Sequence, residues 1–190
     1  MSRKNEKPPD SNTYYMGIAI AVRERANCTG NRVGAVLVLD NRVISTGYNG
    51  VPEGMKNCLE RGCLRCRNPK GQFPPGTGYD LCICVHAEQN ALLTAARFGI
   101  SVQGASLYTT MQPCFGCAKE LLQAHVKQVV YLHKWMPSDV DPEMDDLKKA
   151  EYKKITAKFK SKQLSIPDPR AEWAISKLRK KAKPIGKANR

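Results

Sequence analysis

Two short motifs carry the residue types that can do metal chemistry, His86-Ala87-Glu88 and the run from Pro113 to Cys117. His86, Cys114 and Cys117 offer three zinc ligands. A structural zinc ion is held by four protein ligands, whereas a catalytic zinc ion has three and leaves its fourth position to water. Glu88 lies two residues beyond the histidine, where a carboxylate can move a proton of that water. These residues predict a hydrolytic zinc site with Glu88 as its catalytic acid–base group.

The specificity of this prediction comes from the two motifs together. A lone C-x-x-C also occurs in redox proteins and zinc ribbons, and a lone His-Ala-Glu has little meaning. The ordered pair H-x-E and P-C-x-x-C, separated by about 25 residues, is the signature of zinc-dependent nucleobase deaminases. The joint pattern therefore favours catalysis over coincidence.

Each motif opens a stretch that predicts a helix. The run from His86 is rich in helix formers and ends at Gly99, a residue type common just past a helix C-terminus. In the second run, Cys114 and Cys117 are three residues apart and share one face of a first turn. Two helix N-termini are thus expected to converge on one metal, where their dipoles favour thiolate over thiol.

Short runs rich in β-branched residues predict the strands that position these helices, at 33–39, 43–48, 105–110 and 129–133. A further helix is expected over about Ser11 to Cys28. The later strand–helix alternation implies parallel crossovers. We expect an α/β fold, a three-layer α/β/α sandwich with a mixed central sheet.

Length and composition fit one such core, because 190 residues with 42% hydrophobic content can bury about 135 to 150 residues in one unit. We expect a polar N-terminal arm at 1–12, a catalytic domain at 13–137 with a cysteine-bearing insertion at 51–84, and a basic, helical C-terminal extension at 138–190. No apolar run of about 18 residues and no leader pattern is visible, which predicts a cytoplasmic protein without membrane contact.

Six cysteines remain after Cys114 and Cys117 are assigned. In a reducing compartment their spacing favours metal over disulfides. Cys63 and Cys66 form the best pair of a second, structural zinc site that needs four ligands. Cys58 and Cys82 complete it, with Cys28 and Cys84 as alternates. The other interpretation is that several of the six are small buried apolar residues or free thiols.

The chain resembles the deoxycytidylate (dCMP) deaminase family of the zinc-dependent cytidine deaminase superfamily. The residues that carry the resemblance span about 14 to 131: NRVGAVLVLDNRVISTGYNGVPEG, CVHAEQNALL and GASLYTTMQPCFGCAKELLQAHVKQVVY. Members of the family often have a cysteine-bearing insertion between the GYNG loop and the His-Ala-Glu helix. The insertion at 51–84 falls at that place, but its length and cysteine content prevent a direct transfer of zinc ligands.

The resemblance implies hydrolysis of dCMP to dUMP and ammonia. Zinc-activated water would attack C4 of cytosine while Glu88 moves a proton to N3 and then to the leaving amine. Asn49 is expected to contact the sugar 3′-hydroxyl, and Ala87 is a second expected substrate contact. Asn-Gly is also a strong turn dipeptide, and Asn49 can have both roles. Phosphate contacts are expected from loop basic residues, which cannot be ranked: Lys56, Arg61, Arg65 and Arg67.

The tail carries most of the positive charge. From residue 147 onward the chain has 15 Lys or Arg and 3 Asp or Glu, which is +12 of the formal net +14. Helices are predicted over 141–162 and 168–183, separated by Pro167 and Pro169. A lysine run is usually a solvated face, although it can bind nucleic acid. Deamination of nucleic acid (adenosine in tRNA, or cytosine in a polynucleotide) is therefore the alternative function; dCTP is an alternative substrate, and an inactive RNA-binding module is a third class.

The family resemblance further implies a homo-oligomer, a hexamer or a dimer, with dCTP as activator and dTTP as inhibitor.

Overall fold

The computed structural model describes residues 7–68, 72–73, 78–139 and 141–174. Among these residues, five strands form one mixed sheet in the order β2-β1-β3-β4-β5. Their bounds are β1 Gly34–Leu39, β2 Arg42–Tyr48, β3 Ser106–Met111, β4 Gln128–His133 and β5 Lys160–Gln163. β1 pairs antiparallel with both β2 and β3, whereas β3–β4 and β4–β5 are parallel.

Helices cover both faces of this sheet. Their bounds are α1 Ser11–Arg23, α2 Leu64–Arg67, α3 Ala87–Arg97, α4 Phe115–Gln123 and α5 Pro142–Thr156. α1 packs on one face, where Met16 and Ala19 meet Val36 and Val130. α3 and α4 pack on the other face through small residues such as Ala91 and Ala118. The predicted three-layer α/β/α sandwich with a mixed sheet is confirmed.

The central position of β1 follows from its composition. Ala35 and Leu37 enter the core beneath α3, and Val36 and Val38 enter the core beneath α1. A strand that is apolar on both faces must have helices on both faces. β2 alternates exposed and buried positions along most of its length, as a strand at the sheet edge should.

The predicted N-terminal helix needs one correction, at its end. α1 ends at Arg23 rather than near Cys28, because Glu24 caps it and the chain turns towards β1. The predicted start at Ser11 is confirmed: Asp10 accepts a hydrogen bond from Thr13 N at 2.8 Å and caps the helix. Residues 1–6 lie outside the described residues.

The predicted helix over 141–162 is wrong at its end. α5 stops at Thr156, and Lys160–Gln163 adds β5 to the sheet beside β4. The physical reason lies at the ends of β5: Phe159 is buried in the core beneath α3 and Leu164 in the core beneath α1. Four polar residues thus lie at the sheet edge because their apolar neighbours anchor them. Such polar, lysine-bearing edges resist pairing with other strands.

The predicted helix over 168–183 is represented by a single 3-10 turn, Ala171–Trp173; the rest of it, from residue 175, lies outside the described residues. The turn is held by Asp168, whose carboxylate accepts two hydrogen bonds from the fully buried Arg23 of α1, at 2.6 and 2.9 Å. His133 Nε2 lies 2.6 Å from the same carboxylate. In the part of the chain that is described, no helix is long and apolar enough to span a bilayer.

Candidate active site

The three predicted zinc ligands meet at the N-termini of two helices. His86 is the N-cap of α3 and Cys114 the N-cap of α4, and Cys117 lies in the first turn of α4. The Nδ1 atom of His86 lies 3.3 Å from the Cys114 sulfur and 3.4 Å from the Cys117 sulfur. Ligands of a tetrahedral zinc with bonds of about 2.0–2.3 Å are about 3.6 Å apart. One nitrogen and two sulfurs at this spacing fit zinc in both geometry and donor type.

The contact between these ligands shifts the pKa of two of them in opposite directions. Hydrogen bonds from Cys117 and His86 lower the pKa of the Cys114 thiol to about 4. The same contact with Cys114 raises the pKa of His86 to about 9. Zinc takes thiolate and neutral imidazole as ligands, so zinc binding at this site would release protons.

Glu88 lies on the first turn of α3 and is 4% exposed. The Thr109 hydroxyl donates to its Oε1 at 3.2 Å and also lies 3.0 Å from the Met111 carbonyl oxygen. Burial raises the pKa of the Glu88 carboxyl to about 6. A carboxyl with this pKa exchanges protons readily near neutral pH, as a general acid–base group must.

A cavity of about 390 Å³ opens beside these residues. His86, Glu88 and Cys114 line it together with the two expected substrate contacts, Asn49 and Ala87. The volume of this cavity is large enough for a small-molecule ligand to approach the zinc triad and the Glu88 carboxylate.

Asn49 is held firmly at the cavity wall. Its Oδ1 accepts from Val33 N at 2.8 Å, and its Nδ2 donates to the Asn31 carbonyl at 2.8 Å. The side chain thus fixes the loop before β1, which agrees with its interpretation as a structural turn residue; the sugar contact stays a prediction.

Ala87 is fully buried, and its backbone packs closely against Gly47 of β2. A Cβ atom at position 47 would lie only 2.2 Å from the Ala87 carbonyl oxygen. Only glycine at position 47 lets β2 pack this closely on α3.

All six remaining cysteines gather at the same end of the sheet. Two groups of four have sulfurs within 4.8 Å of one another: Cys28, Cys58, Cys66 and Cys84, and Cys63, Cys66, Cys82 and Cys84. The predicted set of Cys58, Cys63, Cys66 and Cys82 is divided between them, with Cys58 in the first group and Cys63 and Cys82 in the second. Both alternates, Cys28 and Cys84, take part.

The structure also separates the four candidate phosphate contacts. Arg65 lines the cavity and lies over the ring of Tyr79, with its guanidinium carbon 4.6 Å from the ring centre. Lys56, Arg61 and Arg67 are exposed and do not line the cavity.

Two residues near the site were missed by the sequence reasoning. Thr109 orients Glu88, and the only available signal was its position on a strand that leads into the cysteine motif. Tyr79 lies edge-on to His86, with ring centres 6.5 Å apart, and nothing in its surroundings in the sequence pointed to the cavity. Trp135 also lines the cavity.

Sequence comparisons agree with this geometry. Residues 9–133 match the family model described as the cytidine and deoxycytidylate deaminase zinc-binding region. The deoxycytidylate deaminase of Schizosaccharomyces pombe is 44% identical over 127 residues, which are 67% of this chain and 38% of the yeast protein. That of Mycobacterium phage D29 is 40% identical over 128 residues, 65% of this chain and 94% of the phage protein. The chain thus spans well under half of the yeast relative and nearly all of the phage relative.

Among solved structures, the dCMP deaminase of cyanophage S-TIM5 has the same fold. Its apo form is 26% identical with a TM-score of 0.59, and the alignment covers 83% of this chain and all of the phage chain. A second structure of that phage protein, in complex with dCMP and dUMP, aligns with a TM-score of 0.59 at 25% identity over 84% of this chain and all of that one.

Proposed function

We propose that this chain, which belongs to the cytidine and deoxycytidylate deaminase family, catalyses the hydrolytic deamination of dCMP to dUMP with release of ammonia. The observation that carries the proposal is a buried carboxylate, Glu88, beside a His-Cys-Cys triad at the wall of a cavity. The relatives named deoxycytidylate deaminase, and the phage structure with dCMP and dUMP, support dCMP as the substrate.

In this proposal each residue has a defined task. Zinc held by His86, Cys114 and Cys117 would supply Lewis acidity, which lowers the pKa of water towards neutrality. Glu88 takes a proton from the water that adds to C4 of cytosine and passes it to N3. It then takes the proton of the new C4 hydroxyl group and delivers it to the amine; the C4–N bond breaks, C4=O forms, and ammonia leaves. Thr109 keeps the carboxylate aimed at this position through its hydrogen bond.

Arg65 is our candidate for the substrate phosphate, because it is the member of the predicted set that lines the cavity. A guanidinium can donate two parallel hydrogen bonds to a phosphate. Asn49 and Ala87 remain candidate contacts to the nucleoside, positioned by the loop before β1 and by α3.

The substrate is tested by the loss of cytosine absorbance with the zinc-loaded protein. Parallel assays contain dCMP, CMP, dCTP, deoxycytidine, and oligonucleotides that carry cytosine or adenosine. Turnover of dCMP, with weaker or no turnover of the other compounds, is expected. Turnover confined to oligonucleotides would overturn the proposal and assign the basic tail to substrate binding.

The role of Glu88 is tested by Glu88→Gln, with Glu120→Gln as the matched control. Glu120 lies on α4, is exposed and does not line the cavity. General acid–base catalysis contributes a factor of about 10² to 10⁴ in rate. Glu88→Gln should therefore lower kcat by a factor of about 10² or more, while the zinc content stays equal to that of the wild type. A Glu88→Gln variant that keeps more than about a hundredth of wild-type kcat would contradict the proton transfer.

Homo-oligomer formation, control by dCTP and dTTP, and a cytoplasmic location belong to the same proposal and rest on the family resemblance. Light scattering of the purified chain gives the assembly size. Initial rates at low dCMP, with and without each triphosphate, test the control: dCTP should raise the rate and dTTP should lower it.

A further inference from the structure

The interior of the insertion consists largely of sulfur. Four buried cysteines form its centre: Cys28, Cys58, Cys63 and Cys84. Four partly buried residues pack against them: Val51, Cys66, Cys82 and Ile83. The described part of the insertion contains no strand, and its longest helix is the four residues of α2. Apolar burial on this scale stabilises a segment of this length only weakly, and small domains of this kind are usually held by disulfides or metals.

The sulfurs lie farther apart than in a disulfide bond, and most of the distances between them are close to those of thiolates that share a metal ion. Neighbouring sulfurs are 3.1 Å apart for Cys58–Cys84, 3.5 Å for Cys28–Cys66 and 3.8 Å for Cys63–Cys82. A disulfide bond is about 2.05 Å long, and all eight cysteines are free. Two thiolates on one tetrahedral zinc, with bonds of about 2.3 Å, are about 3.8 Å apart.

We propose that these six cysteines bind two zinc ions in one cluster, in which Cys66 and Cys84 each bridge both ions. Cys28 and Cys58 complete the first ion, and Cys63 and Cys82 complete the second. The two bridging sulfurs are 3.7 Å apart and belong to both groups of four. This site is separate from the triad at His86 and does not rest on the proposed activity.

Ligand counting favours two ions over one. Two tetrahedral ions need eight ligand positions, and six thiolates of which two bridge supply all eight. A single ion would leave two thiols without a metal in the middle of a sulfur cluster. Binding is balanced as two Zn²⁺ replacing six thiol protons, which gives a cluster charge of −2.

Local donors and cations fit this negative charge. The backbone N–H of Gly30 donates to the Cys28 sulfur at 3.3 Å. Arg65 and Arg67 flank the bridging Cys66 in the sequence and lie with it on α2. Amide donors and nearby cations stabilise metal-bound thiolates and orient them.

The cluster also lies against the catalytic cavity. Cys28, Cys66, Cys82 and Cys84 line the same cavity as His86 and Glu88. The zinc ions would therefore hold one wall of the cavity in place and, through α2, position Arg65.

The test is a metal count on the full chain by native mass spectrometry and elemental analysis. A Cys114→Ser/Cys117→Ser variant removes the ligands of the catalytic triad, so that its remaining zinc belongs to the cluster. Two zinc ions per chain are expected in this variant, with a mass that shows six protons displaced. One zinc ion, none, or a mass that shows disulfides instead would overturn the proposal.

Single substitutions separate terminal ligands from bridging ligands. In the same background, Cys58→Ser and Cys63→Ser should each lower the zinc content by about one ion, whereas Cys66→Ser should lower it by about two. A one-ion site would instead leave the zinc content unchanged for two of the six cysteines.

If these variants do not fold, ¹¹³Cd NMR of the wild-type chain decides. Two cadmium resonances in the tetrathiolate range, coupled to each other through the bridging sulfurs, are expected. A single tetrathiolate resonance, or two without coupling, would overturn the proposal even if the chain is an active deaminase.

Discussion

Replacing Asp168 by Asn should destabilise the protein more than any surface substitution in the same segment. The side chain of Asp168 is 3% exposed, and its partner Arg23 is fully buried. The Asn amide keeps the size of the carboxylate but leaves the guanidinium of Arg23 without its counter-ion. Breaking a buried ion pair in this way costs about 3–5 kcal/mol, a large share of the roughly 5–15 kcal/mol that holds a typical domain together.

Urea unfolding, followed by circular dichroism, measures this cost. With a slope of about 2 kcal/mol per molar urea, the midpoint should fall by about 1.5–2.5 M. The matched control is Glu172→Gln, since Glu172 lies in the same segment and its carboxylate is 4.0 Å from Arg170 at the surface. This surface pair should contribute at most about 1 kcal/mol.

The same pair predicts how stability depends on pH. Burial opposes ionisation of Asp168, but the hydrogen bonds from Arg23 and His133 outweigh it and hold the pKa of this carboxyl well below its ordinary value. A carboxyl with a depressed pKa in the folded state stabilises the fold above its unfolded pKa of about 3.9, and this contribution is lost as the pH falls below that value. The difference in free energy of unfolding between wild type and Asp168→Asn should therefore be largest near pH 7 and shrink at about pH 3 and below. A difference under about 1 kcal/mol at pH 7, or one that does not change with acid, would refute this reasoning.

Two further predictions concern the residue before Cys114 and the candidate phosphate contact. Tyr152→Phe removes the hydroxyl that donates to the Pro113 carbonyl at 2.6 Å. Because that buried oxygen is left without a donor, the free energy of unfolding should fall by about 1–3 kcal/mol. The control is Tyr14→Phe at an exposed position, which should change the free energy of unfolding by less than about 0.5 kcal/mol in the same urea titration. Arg65→Gln should raise KM for dCMP about tenfold or more, because a charge-assisted hydrogen bond contributes about 1.5–3 kcal/mol, while KM for deoxycytidine stays constant. Arg67→Gln on the same short helix is the control, and an equal rise of KM for both substrates would exclude a phosphate contact.

The sequence predicted well those features that are encoded locally. His86 and Cys114 were expected to start helices, and both are N-caps because their motifs begin helix-forming runs. The bounds of the four apolar strands were predicted to within one residue at each end. Their burial leaves a clear apolar pattern in the sequence, because β1, β3 and β4 are covered on both faces and β2 is covered on one.

Features that depend on long-range packing could not be predicted in this way. Lys160–Gln163 has no apolar period, and only the burial of Phe159 and Leu164 on opposite faces makes it a strand. Asp168 stands between two prolines in a basic tail, and nothing near it in sequence indicates a buried partner on α1. Spacing alone could not distribute six cysteines over two groups, because the chain returns to the cluster from three separate segments.

The contact between Arg23 and Asp168 also bears on the order of folding, because 145 positions separate the two residues. During synthesis, α1 and the first strands leave the ribosome long before Asp168. Until Asp168 arrives, burying Arg23 would leave a charge without a partner, so we expect this side chain to stay hydrated and α1 to pack incompletely. Contacts this distant in sequence form late and slow the folding of a domain. We therefore expect this layer of the core to close only after the segment around Asp168 has been made.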